Sequence, residues 1–270
     1  MPRRVALVLE YEGTRYAGFQ IQANVESVQG VLETAIERLT GAASRVYGAG
    51  RTDAGVHANA QVVCFDTESD LTIERFRTGL NHYLADDVAV RGAYDVKVDF
   101  DPRRHAVGRI YRYTMLESAS RSPLRVRFVH HVGQRLDVAL MNTALELLQG
   151  ERDFAPFCGN LPQGGSTVRH MYRTQVWRQN GDEICLELEA NAYLHQQVRR
   201  IAGAVLGVGL GKMTIDEFVA IADSKVHGAA AWVLPAKGLT LRRVDYRDFP
   251  PLTEQSVAEH SEVTVGNLWN

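Results

Sequence analysis

Cysteine is scarce in this chain of 270 residues: there are three, Cys64, Cys158 and Cys185, widely spaced and with no Cys-x-x-Cys pair. An odd, scattered set argues against a disulfide framework and against a thiolate zinc site. It fits a reducing compartment, so a cytoplasmic location is expected. Long apolar runs are also missing. Met1-Pro2-Arg3-Arg4 passes into Val5-Ala6-Leu7-Val8-Leu9 and then Glu10, a stretch too short for the apolar region of a signal peptide. Nothing approaches the roughly 18 apolar residues of a membrane span. Neither sign of charge dominates: 30 Lys and Arg face 32 Asp and Glu, a net charge of −2. Bulk charge therefore does not announce a nucleic-acid binder. No short-period repeat is visible, which argues against a solenoid. There is no His-Glu-x-x-His, and His130-His131 on an expected strand point to opposite faces, so no metal is expected.

What is present is an ordinary globular composition, 45% hydrophobic and 23% charged, long enough for two domains or one large one. The charge is unevenly placed. Between Phe100 and Arg135, eight arginines (Arg103, Arg104, Arg109, Arg112, Arg121, Arg125, Arg127, Arg135) are opposed only by Asp101 and Glu117. Arginine forks suit phosphate oxygens. The stretch reads either as a local basic field for a polyanion or as a mixed solvated surface. From Asp248 onward Glu254, Glu259 and Glu262 stand without Lys or Arg.

Hydrophobic periodicity and capping residues predict strands over 5–11, 45–49, 61–65 and 88–98, a helix capped by Ser27, and a second helix capped by Thr72 through 84. This β-α-β-β-α-β order is the ferredoxin-like or split pattern. The second half alternates similarly. Extended segments are expected over 109–115 and 127–132, a helix from Asp137 to 148, and a hairpin of 168–177 with 183–189 about Asn180-Gly181. Helices over 195–208 and 214–222 and a strand over 239–244 complete it. The expected fold class is α+β, with two ferredoxin-like halves at 1–105 and 106–247 and an acidic tail at 248–270; Pro102 and the change in charge mark the boundary.

The run Gly50-Arg51-Thr52-Asp53-Ala54-Gly55-Val56-His57 falls on a loop between two of these strands. Its glycines permit unusual backbone angles and close approach of a ligand. In extended backbone, Arg51 and Asp53 share a face, and a nearby cation favours the charged form of an acid. An ionised Asp in a shaped pocket is a nucleophile or a general base. The same run also reads as a turn with a structural Arg-Asp pair. Further on, Arg109-Ile110-Tyr111-Arg112-Tyr113 alternates, placing Arg109, Tyr111 and Tyr113 on one face. Such a face can stack bases and contact phosphates, or it is a half-buried strand with amphipathic side chains. Arg199 and Arg200 precede the apolar stretch 201–206. An arginine buried there needs a carboxylate partner. Asp53 is the candidate, whereas Arg200 is expected to snorkel from the helix surface. The stretch from Gly207 to Thr214 imitates a phosphate loop, but Leu206 and Met213 break the pattern. Its glycines are expected to allow close packing.

Several motifs occur in a fixed order: Tyr16-Ala17-Gly18-Phe19-Gln20, Ser27-Val28-Gln29, the run 50–57, Arg109 to Tyr113, Asp153-Phe154, Asn191-Ala192-Tyr193-Leu194-His195 with Val198-Arg199, and Gly238-Leu239. Together, and over nearly the whole chain, they closely resemble the TruA-type tRNA pseudouridine synthases. The resemblance implies two halves sharing a curved, mostly antiparallel sheet with the active cleft between them. It implies a homodimer that binds one tRNA across both subunits. It also implies isomerisation of uridine to pseudouridine in the anticodon stem-loop, at tRNA positions 38, 39 and 40, without metal or organic cofactor. By the same resemblance Asp53 is the catalytic carboxylate, Tyr111 stacks on the target base and Arg199 pairs with the carboxylate. Arg51 helps to hold the nucleotide out of its stack, Leu239 lies in the apolar pocket wall, and Arg109 and His57 are motif residues expected to bind substrate.

The chemistry suits these residue types. The N1–C1′ bond must break, the base must turn, and C5–C1′ must form, after the uridine leaves its stack. Cleavage develops positive charge on the sugar, and the carboxylate either attacks C1′ or removes a sugar proton. The chain departs from the pattern at Phe100-Asp101-Pro102-Arg103, where Phe-His-Ala-Arg is frequent, and at Tyr193, Gln196 and Thr240. Those segments bear on substrate choice. Two competing readings remain at this level: a tRNA-binding module without turnover, and an N-glycoside hydrolase or base-exchange enzyme.

Overall fold

The computed structural model describes residues 3–161 and 164–249, so the acidic tail lies outside the described residues from 250 onward. The first half is built from β1 (Arg3–Tyr11), α1 (Val28–Thr40), β2 (Tyr47–Gly48), β3 (His57–Thr67), α2 (Ile73–Tyr83) and β4 (Val88–Val96). The second contains β5 (Ala106–Glu117), β6 (His130–Val132), α3 (Val138–Glu146), β7 (Gly150–Asp153), β8 (Val168–Gln179), β9 (Glu183–Ala190), α4 (Gln197–Gly209), α5 (Ile215–Asp223) and β10 (Leu239–Tyr246).

Local chemistry accounts for most of these elements. Val5, Leu7, Leu9 and Tyr11 are buried at alternate positions of β1, as the two-residue period of a strand requires. The helices start where short polar side chains satisfy orphan N–H groups. Ser27 accepts from Gly30 N, Thr72 from Arg75 N and Asp137 from Leu140 N. Thr214 and Glu217 form a reciprocal capping box on α5.

One sheet runs β4-β1-β3-β10-β5-β9-β8-β7, with β2 on β3 and β6 on β5. The first half orders its strands β4-β1-β3-β2 and the second orders its corresponding strands β10-β5-β9-β8. Both are the ferredoxin-like order, fourth, first, third, second. The pairings are antiparallel apart from β5 with β6 and β10 with β3. That last pair joins the halves, with Thr240 opposite His57 and Leu241 opposite Ala58.

Helix α4 is apolar on nearly all sides, with Ile201, Ala202, Val205 and Leu206 buried. A Cβ on Gly203 would lie 2.0 Å from the Trp232 carbonyl oxygen, so only glycine lets that segment cross the helix. One on Gly209 would lie 2.5 Å from Met141 Sδ. Within the imitation phosphate loop Gly209 thus serves packing, whereas Gly207 makes only ordinary contact with Met213 and Gly211 supplies a left-handed φ of 67° with open space around it.

Four local expectations are corrected. The strand expected at 61–65 begins at His57, because its first residues find partners on β10. The strand expected at 127–132 is confined to His130–Val132. The preceding residues turn instead, with Arg125 tied to Asp182 and Glu183. Helix α4 starts two residues late, because Gln196 takes a left-handed φ of 59°. Strand β7 was missed, since four residues with only partial burial carry no periodic signal.

Candidate active site

The residues Ala49 to Val56 form the loop between β2 and β3 and are tied down from several sides. Ala49 N donates to Val62 O, Gln61 Nε2 to Gly50 O, and Phe19 N to Thr52 O. The Tyr11 hydroxyl lies 2.8 Å from Thr52 Oγ1 in a buried contact. Burial pushes the Tyr11 phenol up to about 12, so it stays a neutral hydrogen-bonding group. Two glycines from a neighbouring loop make this packing possible. A Cβ on Gly13 would lie 2.0 Å from Val56 O, and one on Gly18, at φ +100°, 2.7 Å from Thr52 O.

The loop presents Asp53 to the N-terminal turn of α4. Asp53 Oδ2 accepts from Arg199 Nη1 at 3.0 Å, and Arg199 Nε donates to Leu234 O at 2.7 Å. One guanidinium edge is thereby fixed to backbone while the other holds the carboxylate. His195 Nε2 stands 3.9 Å from the other carboxylate oxygen. These groups line a cleft of about 400 Å³ whose walls include Tyr111, Tyr193, Leu239, Arg51, Arg103 and Arg169.

Tyr111 is 8% exposed and stands edge-on to Tyr193, ring centroids 5.1 Å apart. Burial first, and then the nearby Tyr11 and Asp53, keep its phenol protonated far above neutral pH. Leu239, the first residue of β10, is buried at the cleft wall. Arg51 is exposed at the rim. Among the described residues Arg51, Arg103 and Arg169 form no ion pair, and Asp53 is the one carboxylate lining the cleft.

The structure therefore brings together Asp53, Arg199, Tyr111, Leu239 and Arg51. It does not pair Arg51 with Asp53 as extended backbone would, because the loop is not a strand and Asp53 turns to α4. Tyr113 and Tyr111 share a face of β5, but Tyr113 is fully buried and donates to Pro235 O. Arg109 lines the cleft yet gives its guanidinium to the carbonyls of Ala106, Asn191, Ala49 and Arg103. Desolvation weakens its hold on its proton. His57 lies outside the cleft lining and is 3% exposed. Its Nδ1 accepts from Gly13 N, while Nε2 faces the carbonyls of Arg127 and Lys237.

The run of arginines is not a continuous basic field. Arg112 pairs with Glu187, Arg125 with Asp182 and Glu183, and Glu117 with Arg178. Arg200 is likewise no snorkelling side chain: it donates to Ala230 O and its Nε is buried. Sequence reasoning gave no site role to His195 or Arg169, and expected Tyr193 only within a segment that bears on substrate choice. His195 and Tyr193 sit in a quoted motif four and six positions before Arg199, and that spacing was the available signal. Arg169, on an exposed stretch of strand, carries none.

The model of a family described as tRNA pseudouridine synthase matches residues 7–103 and 144–247. The chain belongs to that family. A tRNA pseudouridine synthase A from Myxococcus xanthus is 43% identical over 93% of this chain and 94% of its own length. One from Chloroflexus aurantiacus is 42% identical over 90% and 89%, and one from a Roseiflexus species is 40% identical over 96% of each. Both matched segments of the family carry the site: Asp53 lies in the first, Arg199 and Leu239 in the second. Among the described residues no cluster of three metal-ligating side chains occurs, and no helix is long and apolar enough to cross a membrane.

Proposed function

We propose that Asp53 is the carboxylate at which a uridine of the tRNA anticodon arm, at positions 38, 39 and 40, is isomerised to pseudouridine. As a member of its family the protein is an isomerase that converts uridine to pseudouridine in tRNA. The observation that carries the assignment of the site is the 3.0 Å pair of Asp53 with Arg199 inside a cleft with Tyr111 and Leu239 on its walls. An aromatic face and an apolar wall suit an extruded base. Arg199, already fixed to Leu234 O, holds one carboxylate oxygen and leaves the other for the sugar. Either attack on C1′ or removal of a sugar proton then loosens the N1–C1′ bond, and Tyr111 keeps the free base within reach until C5 bonds to C1′; C5 then gives up its hydrogen to solvent as a proton, and N1 takes one up. Substrate and product hold the same atoms, so no leaving group needs to escape; the motif resemblance implies that neither metal nor organic cofactor takes part.

Arg51, Arg103 and Arg169 supply positive charge where the phosphates beside the extruded nucleotide must lie. Arg109 supports the reading from beneath, by tying the start of the Asp53 loop to the segment before α4. His57 does so by locking Gly13 against the other end of that loop. The enzyme works in the cytoplasm as a homodimer spanned by one tRNA.

The test is tritium release from a tRNA transcript labelled at C5 of uridine, with Asp53→Asn beside the parent. The parent releases tritium without free uracil. The variant binds tRNA yet loses roughly 10⁴-fold in rate, the scale on which removal of a single catalytic carboxylate acts. Free uracil would mark a glycoside hydrolase. Parent-like turnover by Asp53→Asn would remove the carboxylate from the mechanism.

A further inference from the structure

His195 is built into the cleft more firmly than a solvent-facing histidine needs to be. The main chain of Gly159 and Asn160 clamps it twice: Gly159 N donates to the His195 carbonyl at 2.8 Å, and Asn160 N donates to His195 Nδ1 at 3.1 Å. The ring lies directly on Gly159, where a Cβ would come within 2.5 Å of Nδ1. The next residue, Gln196, takes a left-handed φ of 59°, a conformation that is strained for a non-glycine residue and tends to cluster at functional sites. That kink separates His195 from α4 and turns its side chain to the cleft. Because Nδ1 accepts a hydrogen bond, the neutral ring carries its proton on Nε2. The Nε2–H group faces Asp53 Oδ1 across 3.9 Å, the oxygen that Arg199 does not hold.

We infer that His195 is a positioning residue for Asp53. With tRNA in the cleft, His195 Nε2–H closes on Oδ1, so the carboxylate is held from both ends, by Arg199 on Oδ2 and by His195 on Oδ1. Gaps of this kind tighten when substrate fills a site. Each carboxylate oxygen has two lone pairs, so a bond from His195 fixes the direction of Oδ1 and leaves one lone pair for the sugar. No proton is transferred and no covalent bond to His195 forms. The inference rests on the reading of Asp53 given above.

Two substitutions separate this role from a purely structural one. In His195→Gln the side-chain amide reaches the place of Nε2 and loses the acceptor for Asn160. In His195→Asn the amide oxygen keeps that acceptor and loses the donor toward Asp53. Positioning predicts that Gln retains a single-turnover rate close to the parent, whereas Asn falls about 100-fold, the cost of a misplacement near 1 Å. Affinity for tRNA is expected to be unchanged in both. The reverse order, with Asn active and Gln inactive, would show that His195 only anchors the 159–160 segment, and equal rates would remove it from the mechanism. Nitrogen-15 shifts of His195 in the free enzyme test the tautomer without any turnover: a proton on Nδ1 would overturn the inference. Absence of tritium release from the parent would instead count against the reading of the reaction.

Discussion

The hairpin between the second and third strands of the ferredoxin-like order is made twice in this chain, with different results. In the second half β8 is 12 residues long and turns into β9 through Asn180, Gly181 and Asp182, with φ of 49° and 83° at the first two. That is the tight, left-handed chemistry a hairpin favours. In the first half β2 has only two residues, and the turn has grown into the Asp53 loop. The short strand leaves part of β3 unpaired, and β10 of the other half takes that place. Shortening one strand therefore does two things: it joins the halves into one sheet, and it releases a loop long enough to reach α4. The site lies at the join because neither half alone contains both Asp53 and Arg199.

Each hairpin also has its own arginine brace, and these give the sharpest test of the contrast. Arg199→Ala, which frees Asp53, is expected to lower turnover about 100-fold, read by single-turnover tritium release with tRNA affinity measured alongside. Arg178 pairs with Glu117 and Gly181 O beside the tight turn. Its replacement by Ala should leave turnover alone. Equal losses in the two variants would mean that Asp53 is not held through α4.

Stability should separate the hairpins next. Gly18→Ala places a Cβ against Thr52 O and forces a left-handed residue, at a cost of about 2–3 kcal/mol. Urea unfolding measures it, and a neutral outcome would show that the loop yields easily. Gly181→Ala is also left-handed, but its Cβ meets open space. It should cost only about 1 kcal/mol.

Tyr11→Phe removes the contact with Thr52 and should cost about 1 kcal/mol, with a characteristic dependence on pH. The folded-state pKa of about 12 lies above the unfolded value of 10.0. Tyr11 therefore contributes fully below pH 10 and loses its contribution as pH rises from there to 12. Tyr111, Tyr113 and Tyr246 are shifted upward by burial in the same sense. The parent should lose stability steeply at alkaline pH, and Tyr11→Phe somewhat less steeply. Identical slopes would place the Tyr11 hydroxyl in contact with solvent.

Much of this architecture was legible before the structure. Ser27, Thr72, Asp137 and Thr214 marked helix starts because capping acts within three residues, and the loop 49–56 was bracketed by strands on either side. Among site residues, Asp53 and Arg199 were paired on the argument that a buried arginine needs an acid. Other side chains are held in ways that no local pattern announced. Arg109 was expected at the substrate; it lines the cleft, and four carbonyls from several segments fix its guanidinium. The arginine run was open to two readings, a basic field or a mixed solvated surface, and its members meet carboxylates of β9 and of the β8–β9 turn.

The sequence by itself determined the periodic elements, their caps, the left-handed turn at Asn180-Gly181 and the identity of the loop that carries Asp53. These follow from interactions between residues a few positions apart. Tertiary structure alone decided the geometry in which Arg199 meets Asp53, 146 positions away, with its other edge on Leu234 O, that β10 extends β3, and that His195 rather than His57 stands beside the carboxylate. A hydrogen-bonding group takes whatever partner the crossing chain places within about 3 Å, and no local pattern records which segment that will be.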